Sequence, residues 1–220
     1  MCFLLTFYSV CVFFLAIFEY LCISFSKRRL MINLHRCVCH LLRMPRTYGF
    51  GVQSPFAYRF IREIVVGHTP GRSDFCSSDV LAKELSGLSK RERRICQFIY
   101  RLCRFSSTGT CFVSSDLGNS VLVDVLCSMD CSVDHCIHSL DQVMLSFISP
   151  IFQEYDTLLN RMAVQGILVV YGIRKYSNGL DYWNNLVSDC RSFVSFDLYD
   201  LGVIFFDSKM HKRNYCCNIG

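Results

Sequence analysis

The chain has 220 residues, a formal net charge of +5, 52% hydrophobic residues and 15 cysteines. That length suits one ordinary domain plus an appendage, and the domain can bury its core without crosslinks. An odd number of cysteines in no repeating frame excludes a secreted disulfide scaffold. It points instead to a reducing compartment, where thiols such as Cys96, Cys103 and Cys127 act as small apolar side chains.

Charge divides the chain into three blocks. Residues 1–26 carry a single charge, Glu19; residues 27–104 hold 16 Lys/Arg against 5 Asp/Glu; residues 105–220 hold 7 against 12. The first block, Met1 to Phe25, is long and apolar enough for a transmembrane helix, which needs roughly 20 residues. Ser26-Lys27-Arg28-Arg29, then Arg36, Arg43 and Arg46, follow with no acid before Glu63, the inner flank of a positive-inside arrangement. The expected location is therefore the inner membrane with the domain in the cytoplasm. It becomes the cytoplasm alone if translation starts at Met31. A cleaved signal peptide fits less well, because no basic segment precedes the apolar run and no small-x-small site follows it. The basic block 27–104 is suited to acidic lipid or an acidic partner. It carries no nucleic-acid motif and no aromatic stacking platform.

Residues 32–43 alternate apolar and basic positions at helical spacing, and Pro45 is expected to end that helix. Two glycines, Gly49 and Gly51, mark a turn. Ser54-Pro55 reads as an N-cap with proline in the first turn, followed by an apolar face of Phe56, Phe60, Ile61, Ile64 and Val65 closed by Gly67. Residues 68–88 form a polar connection. Ser89 with Glu92 is a capping box for a helix whose core face is Ile95, Phe98, Ile99 and Leu102, with its arginines and Lys90 expected on a solvated surface.

From residue 108 strands alternate with helices. Cys111–Ser115 reads as a strand, Val121–Leu126 as a helix, and Val133–Leu140 as a second strand. Pro150 is expected to open a helix through Met162 capped by Gly166. The run Ile167–Tyr171 is a strand covered on both faces, and Leu180–Val187 is a helix carrying Trp183. Phe193–Tyr199 and Val203–Phe206 flank Asp200-Leu201-Gly202 as an antiparallel hairpin, with Tyr215–Ile219 as a further edge strand. Alternation of this kind indicates an α/β domain over 105–220, preceded by N-terminal helices.

Two stretches resemble a family of small bacterial class I S-adenosylmethionine-dependent methyltransferases. Arg46-Thr47-Tyr48-Gly49-Phe50-Gly51-Val52-Gln53-Ser54-Pro55-Phe56 is similar to the family's G-F/Y-G-V/I-H-S-P-F signature, with Gln53 at the histidine position. Trp183, Asp197-Leu198-Tyr199, Leu201-Gly202-Val203 and Phe205-Phe206 resemble its C-terminal pattern. The resemblance implies a Rossmann-like, mostly parallel sheet with a C-terminal antiparallel hairpin. It implies S-adenosylmethionine as cofactor, lined by Asp116, Gly118 and Asn119 after the first strand, with a side chain near Gly172 facing the substrate. Asp134 or Asp141 would supply the acid at the end of the second strand that holds the ribose. The turn Asp116-Leu117-Gly118-Asn119-Ser120 has one glycine where the family has two or three, and residues 120–150 are short for the full set of βα units. Two functions follow: a methyltransferase-like protein with a degenerate cofactor site, or an active methyltransferase of unspecified substrate.

Cys127, Cys131, His135, Cys136 and His138 collect donors that zinc accepts, but not as the paired knuckles of a structural site, and no metal is assigned to them. No nucleophile triad signature or phosphate loop is present.

Overall fold

The computed structural model describes residues 27–67, 87–118 and 121–219. The apolar segment 1–26, most of the connection after Gly67, and Asn119 lie outside them. Among the described residues no helix is long and apolar enough to cross a membrane. The chain divides into two units, Met1–Leu42 and Arg43–Gly220. In the first, the described residues form the start of α1 (Lys27–Thr47), where the Cys39 thiol lies 3.7 Å from the His35 ring one turn away. Pro45 does not end this helix, which continues to Thr47. A proline that close to the C-terminus removes one backbone bond, and Tyr48 N–H still donates to Met44 O at 3.2 Å.

In the second unit, Ser54 caps α2 (Pro55–Arg59) by accepting from Ala57 N–H at 3.3 Å. A π-helical turn, Phe60–Val65, prolongs it and buries Phe60, Ile61, Ile64 and Val65. The Ser89–Glu92 capping box opens α3 (Lys90–Ser106), which buries Ile95, Phe98, Ile99 and Leu102. Not all of its arginines are solvated. Arg101 turns inward and donates to the carbonyls of Ile64 (2.7 Å) and Val65 (3.2 Å), satisfying the end of the preceding helix. Gly67, at φ +76°, leaves room for that guanidinium.

The sheet contains β1 (Thr110–Val113), β2 (Ser132–Asp134), β3 (Val143–Ile148), β4 (Met162–Tyr171), β5 (Val194–Asp197), β6 (Leu201–Phe205) and β7 (Arg213–Cys216). Their order is β2-β1-β3-β4-β6-β5-β7. Strands β2, β1, β3 and β4 run parallel; β6 is antiparallel to β4 and β5; β7 pairs in parallel with β5. The fold is thus a Rossmann-like, mostly parallel sheet with a C-terminal antiparallel hairpin, as the methyltransferase resemblance implied. Helix α4 (Val121–Cys127) follows β1 and α6 (Gly179–Ser188) follows β4. Between β2 and β3 there is only a 3₁₀ turn, Ile137–Ser139, so one βα repeat is absent.

Three expectations shift here. The second strand is three residues long and not eight, because Asp134 folds the chain into a turn through Cys136 N–H and Ser139 Oγ. The helix before β4 is only α5 (Tyr155–Arg161), with Ile151 51% exposed. Gly166 is no cap but part of β4, where a Cβ would stand 2.8 Å from Ala163 O and 3.1 Å from Val143 O beside a register shift. Strand β3 gave no alternating signal, since both its faces are covered and even Ser146 is fully buried.

Side chains alternate between two cores. Ile167 and Val169 join Phe60, Phe98, Phe196 and Phe205 on the face covered by α2, α3 and α4. Leu168 and Val170 join Leu158, Leu159, Trp183 and Ile204 on the other. Phe60 lies 4.6 Å from Phe196 and 5.0 Å from Phe205, centroid to centroid, so the turn that prolongs α2 is seated on the hairpin. On the opposite face Gly202 carries Trp183, and a Cβ there would come within 2.3 Å of the indole. Gly202→Ala should therefore displace Trp183, costing about 1–3 kcal/mol. A lowered thermal midpoint with red-shifted tryptophan emission is the expected result.

Candidate functional site at the carboxyl edge of the sheet

Open α/β sheets bind ligands beyond the carboxyl ends of their strands, at the point where the strand order reverses. Here that point lies between β1 and β3, since β1 leads outward to β2 and the chain then returns to β3. At its rim β1 ends in Ser114, whose N–H donates to Phe147 O at 2.9 Å. The Ser114 hydroxyl is buried and finds no hydrogen-bond partner among the described residues. Ser115–Leu117 then form a 3₁₀ turn that exposes Asp116 and buries Leu117.

Gly118 follows with φ −58°, an ordinary right-handed value. A Cβ at Gly118 would meet Ser115 O at 3.2 Å and His135 Cε1 at 3.5 Å. His135, just past β2, lays its ring against this turn, and Nδ1–H donates to Val113 O at 2.8 Å. The His135 ring thus stands between the glycine turn and the end of the second strand. Asp134 does end β2, but its carboxylate accepts from Cys136 N–H and Ser139 Oγ, which hold its pKa below the usual carboxylate range. Asp141 precedes β3 and so sits at the opposite, amino edge of the sheet. A cavity of about 210 Å³ also opens there, lined by Gly109, Phe112, Gln142 and Met144.

On the β3 side the loop after Ser149 carries Phe152, whose ring lies 5.6 Å from Phe112. The Tyr182 hydroxyl donates to Phe152 O at 2.9 Å; burial raises its pKa, helped by the charges of Tyr155 and Asp116. Phe152 and Tyr182 thus form an aromatic wall built from the β3 loop and α6.

Beyond β4 and β5 the edge is closed by charge. Gly172, at φ +83°, ends β4 and donates its N–H to Asp200 O at 2.8 Å. The next cation, Arg174, turns back onto Asp197 (2.9 and 2.7 Å) and Tyr199 O (2.7 Å). Arg43 binds the same carboxylate at 3.0 and 2.8 Å, and Arg91 pairs with Asp200. Tyr199 adopts φ +74°, with its N–H on the Asp197 carboxylate and its ring 5.4 Å from the Arg43 guanidinium and 4.7 Å from that of Arg174. Strain of that kind persists only where neighbours enforce it. The Asp197-Leu198-Tyr199 pattern therefore fixes an ion cluster. Sequence reasoning missed Arg43 and Arg174 because they lie 154 and 23 residues from Asp197.

The five zinc-type donors do not converge. Cys131 Sγ lies 3.5 Å from Cys111 Sγ, His135 serves Val113, and His138 faces Glu154 at 3.6 Å. Among the described residues no group of three or more His, Cys, Asp or Glu could hold a metal ion.

Two measurements follow. Burial raises the Asp197 pKa, but the hydrogen bonds and charges of Arg174 and Arg43 outweigh it and hold the pKa at about 2. The cluster's contribution, roughly 2 kcal/mol, is present above pH 4 and lost as pH falls towards 2. Asp197→Asn should cost about 3 kcal/mol and flatten that acid limb in denaturation curves. Burial also lifts Cys103 to about 12 and Cys111 and Cys217 upward. Brief alkylation of the native protein should label Cys127, Cys136 and Cys190, which are exposed, and spare those three.

No family model and no curated protein matches the chain. Among solved structures it is similar to a methyltransferase from Geobacter sulfurreducens, at 14% identity and a TM-score of 0.42, over 64% of this chain and 93% of that one. A protein from Staphylococcus aureus described as a caffeoyl-CoA O-methyltransferase gives 10% identity and 0.39, over 58% and 90%. At such identities the likeness is one of backbone architecture and transfers no site residue.

Proposed function

We propose that this chain is a methyltransferase-like α/β protein with a degenerate cofactor site, tethered to the cytoplasmic face of a membrane through residues 1–26, and acting by binding rather than by methyl transfer. The observation that carries this reading is the His135 ring, hydrogen-bonded to Val113 O and packed on the Gly118 turn. That groove is where the family resemblance puts the ribose and methionine of S-adenosylmethionine. Support also comes from the 3₁₀ form of the turn, from the single glycine at right-handed φ, and from an Asp134 carboxylate committed to its own loop. The residues present do not fit the cofactor, so no methyl-transfer step is assigned to them.

The second reading, an active S-adenosylmethionine-dependent enzyme, draws on Asp116 at the end of β1 and the Ser114 hydroxyl beside it. Titration calorimetry of the full chain separates the two. The proposed reading expects dissociation constants no tighter than about 1 mM, roughly 4 kcal/mol of binding free energy. Micromolar binding that Asp116→Ala abolishes would restore the enzyme. The tether is tested by fractionation: the protein should pellet with membranes and resist alkaline carbonate extraction, and recovery in the soluble fraction would remove residues 1–26 as an anchor.

A further inference from the structure

The last turn of α1 is docked with its polar side inward. Arg43 and Thr47 are buried, Arg43 against Asp197 and Thr47 with its hydroxyl accepting from Asn218 N–H at 2.8 Å. Their neighbours face solvent: Met44 is 41% exposed, Tyr48 55% and Phe50 71%. Folding that expels apolar side chains while burying a charge leaves that apolar surface for another partner. The patch is also a built feature. Gly49 and Gly51, at φ +88° and +75°, turn the chain so that Phe50 stands at the tip. The Tyr58 ring packs against Gly49, where a Cβ would approach it to 2.4 Å, and is itself 45% exposed.

We infer that Met44, Tyr48, Phe50 and Tyr58 form a knuckle that seats in the interface of a membrane containing anionic lipid. The inference rests on the tether proposed above and adds a second point of attachment. Charge favours lipid over an apolar protein partner: Arg46 is exposed beside the knuckle, and so is Arg59, which also pairs with Glu63 at 3.4 Å. Aromatic rings flanked by arginine are the side chains that favour the headgroup level, where the ring is half buried and the cation meets phosphate. The sequence continues N-terminally into residues 1–26, which are long and apolar enough to span. A protein so tethered holds its own surface within reach of that bilayer.

The test uses the full chain carrying Phe50→Trp, mixed with vesicles of equimolar phosphatidylcholine and phosphatidylglycerol whose phosphatidylcholine is brominated on its acyl chains. Trp183 is buried and serves as the internal reference, its emission unchanged in wild-type protein. The expected result is blue-shifted and strongly quenched emission from position 50. Met44→Glu combined with Tyr48→Glu should abolish the quenching while flotation with the vesicles persists through residues 1–26. Protein that floats without quenching overturns the knuckle and leaves the tether. Flotation abolished by high salt, with quenching intact at low salt, supports the knuckle and removes the span. Protein that does not float under either condition overturns both.

Discussion

The Asp197 carboxylate is the point on which the arrangement of the second unit turns. It accepts two hydrogen bonds each from Arg43 and Arg174, and one more from the N–H of Tyr199. Those contacts join the end of α1, the loop after β4 and the turn of the hairpin, three segments far apart in sequence. Burying the Arg43 guanidinium and half-burying that of Arg174 is costly unless their charge is met at close range, and Asp197 meets both. The left-handed Tyr199 is the visible cost, and its ring beside both cations offsets part of it.

That clamp occupies the part of the carboxyl edge where a substrate would be expected beside Gly172. Asp200 accepts from Gly172 and from Arg91, so the β4–β5 end of the edge is filled by the protein's own ions. At the other end His135 fills the groove beside Gly118. Between them stand Asp116 and the buried Ser114 hydroxyl, which follow β1, and the Phe152–Tyr182 pair. The edge is narrowed from both sides.

Much of the fold was legible in the chain because its signals are local. The Ser89–Glu92 box, the Ser54-Pro55 cap and the two-sided strand Ile167–Tyr171 each declare themselves within a few residues. Strand β3 did not, because its apolar run has no polar alternation and its one serine is buried against the Met162 sulfur. The helix expected through Met162 failed because Met162 pairs with Val143 and opens β4, a long-range choice that helical spacing cannot register. The site was legible only in part. Asp116 and Gly118 stand at the end of β1 as expected, Asn119 falls outside the described residues, and His135 drew attention only as a metal donor. Its bond to Val113 O depends on β1 and β2 lying side by side, which spacing alone does not reveal.

The absence of a helix between β2 and β3 leaves β2 as a three-residue border strand, and the parallel addition of β7 forms the other border. Both are short, and β7 leaves Arg213 and Asn214 exposed. Open borders of a sheet invite backbone pairing between molecules, and short strands carrying charge discourage it. Blunted borders let copies of the chain reach high concentration without zipping into fibres.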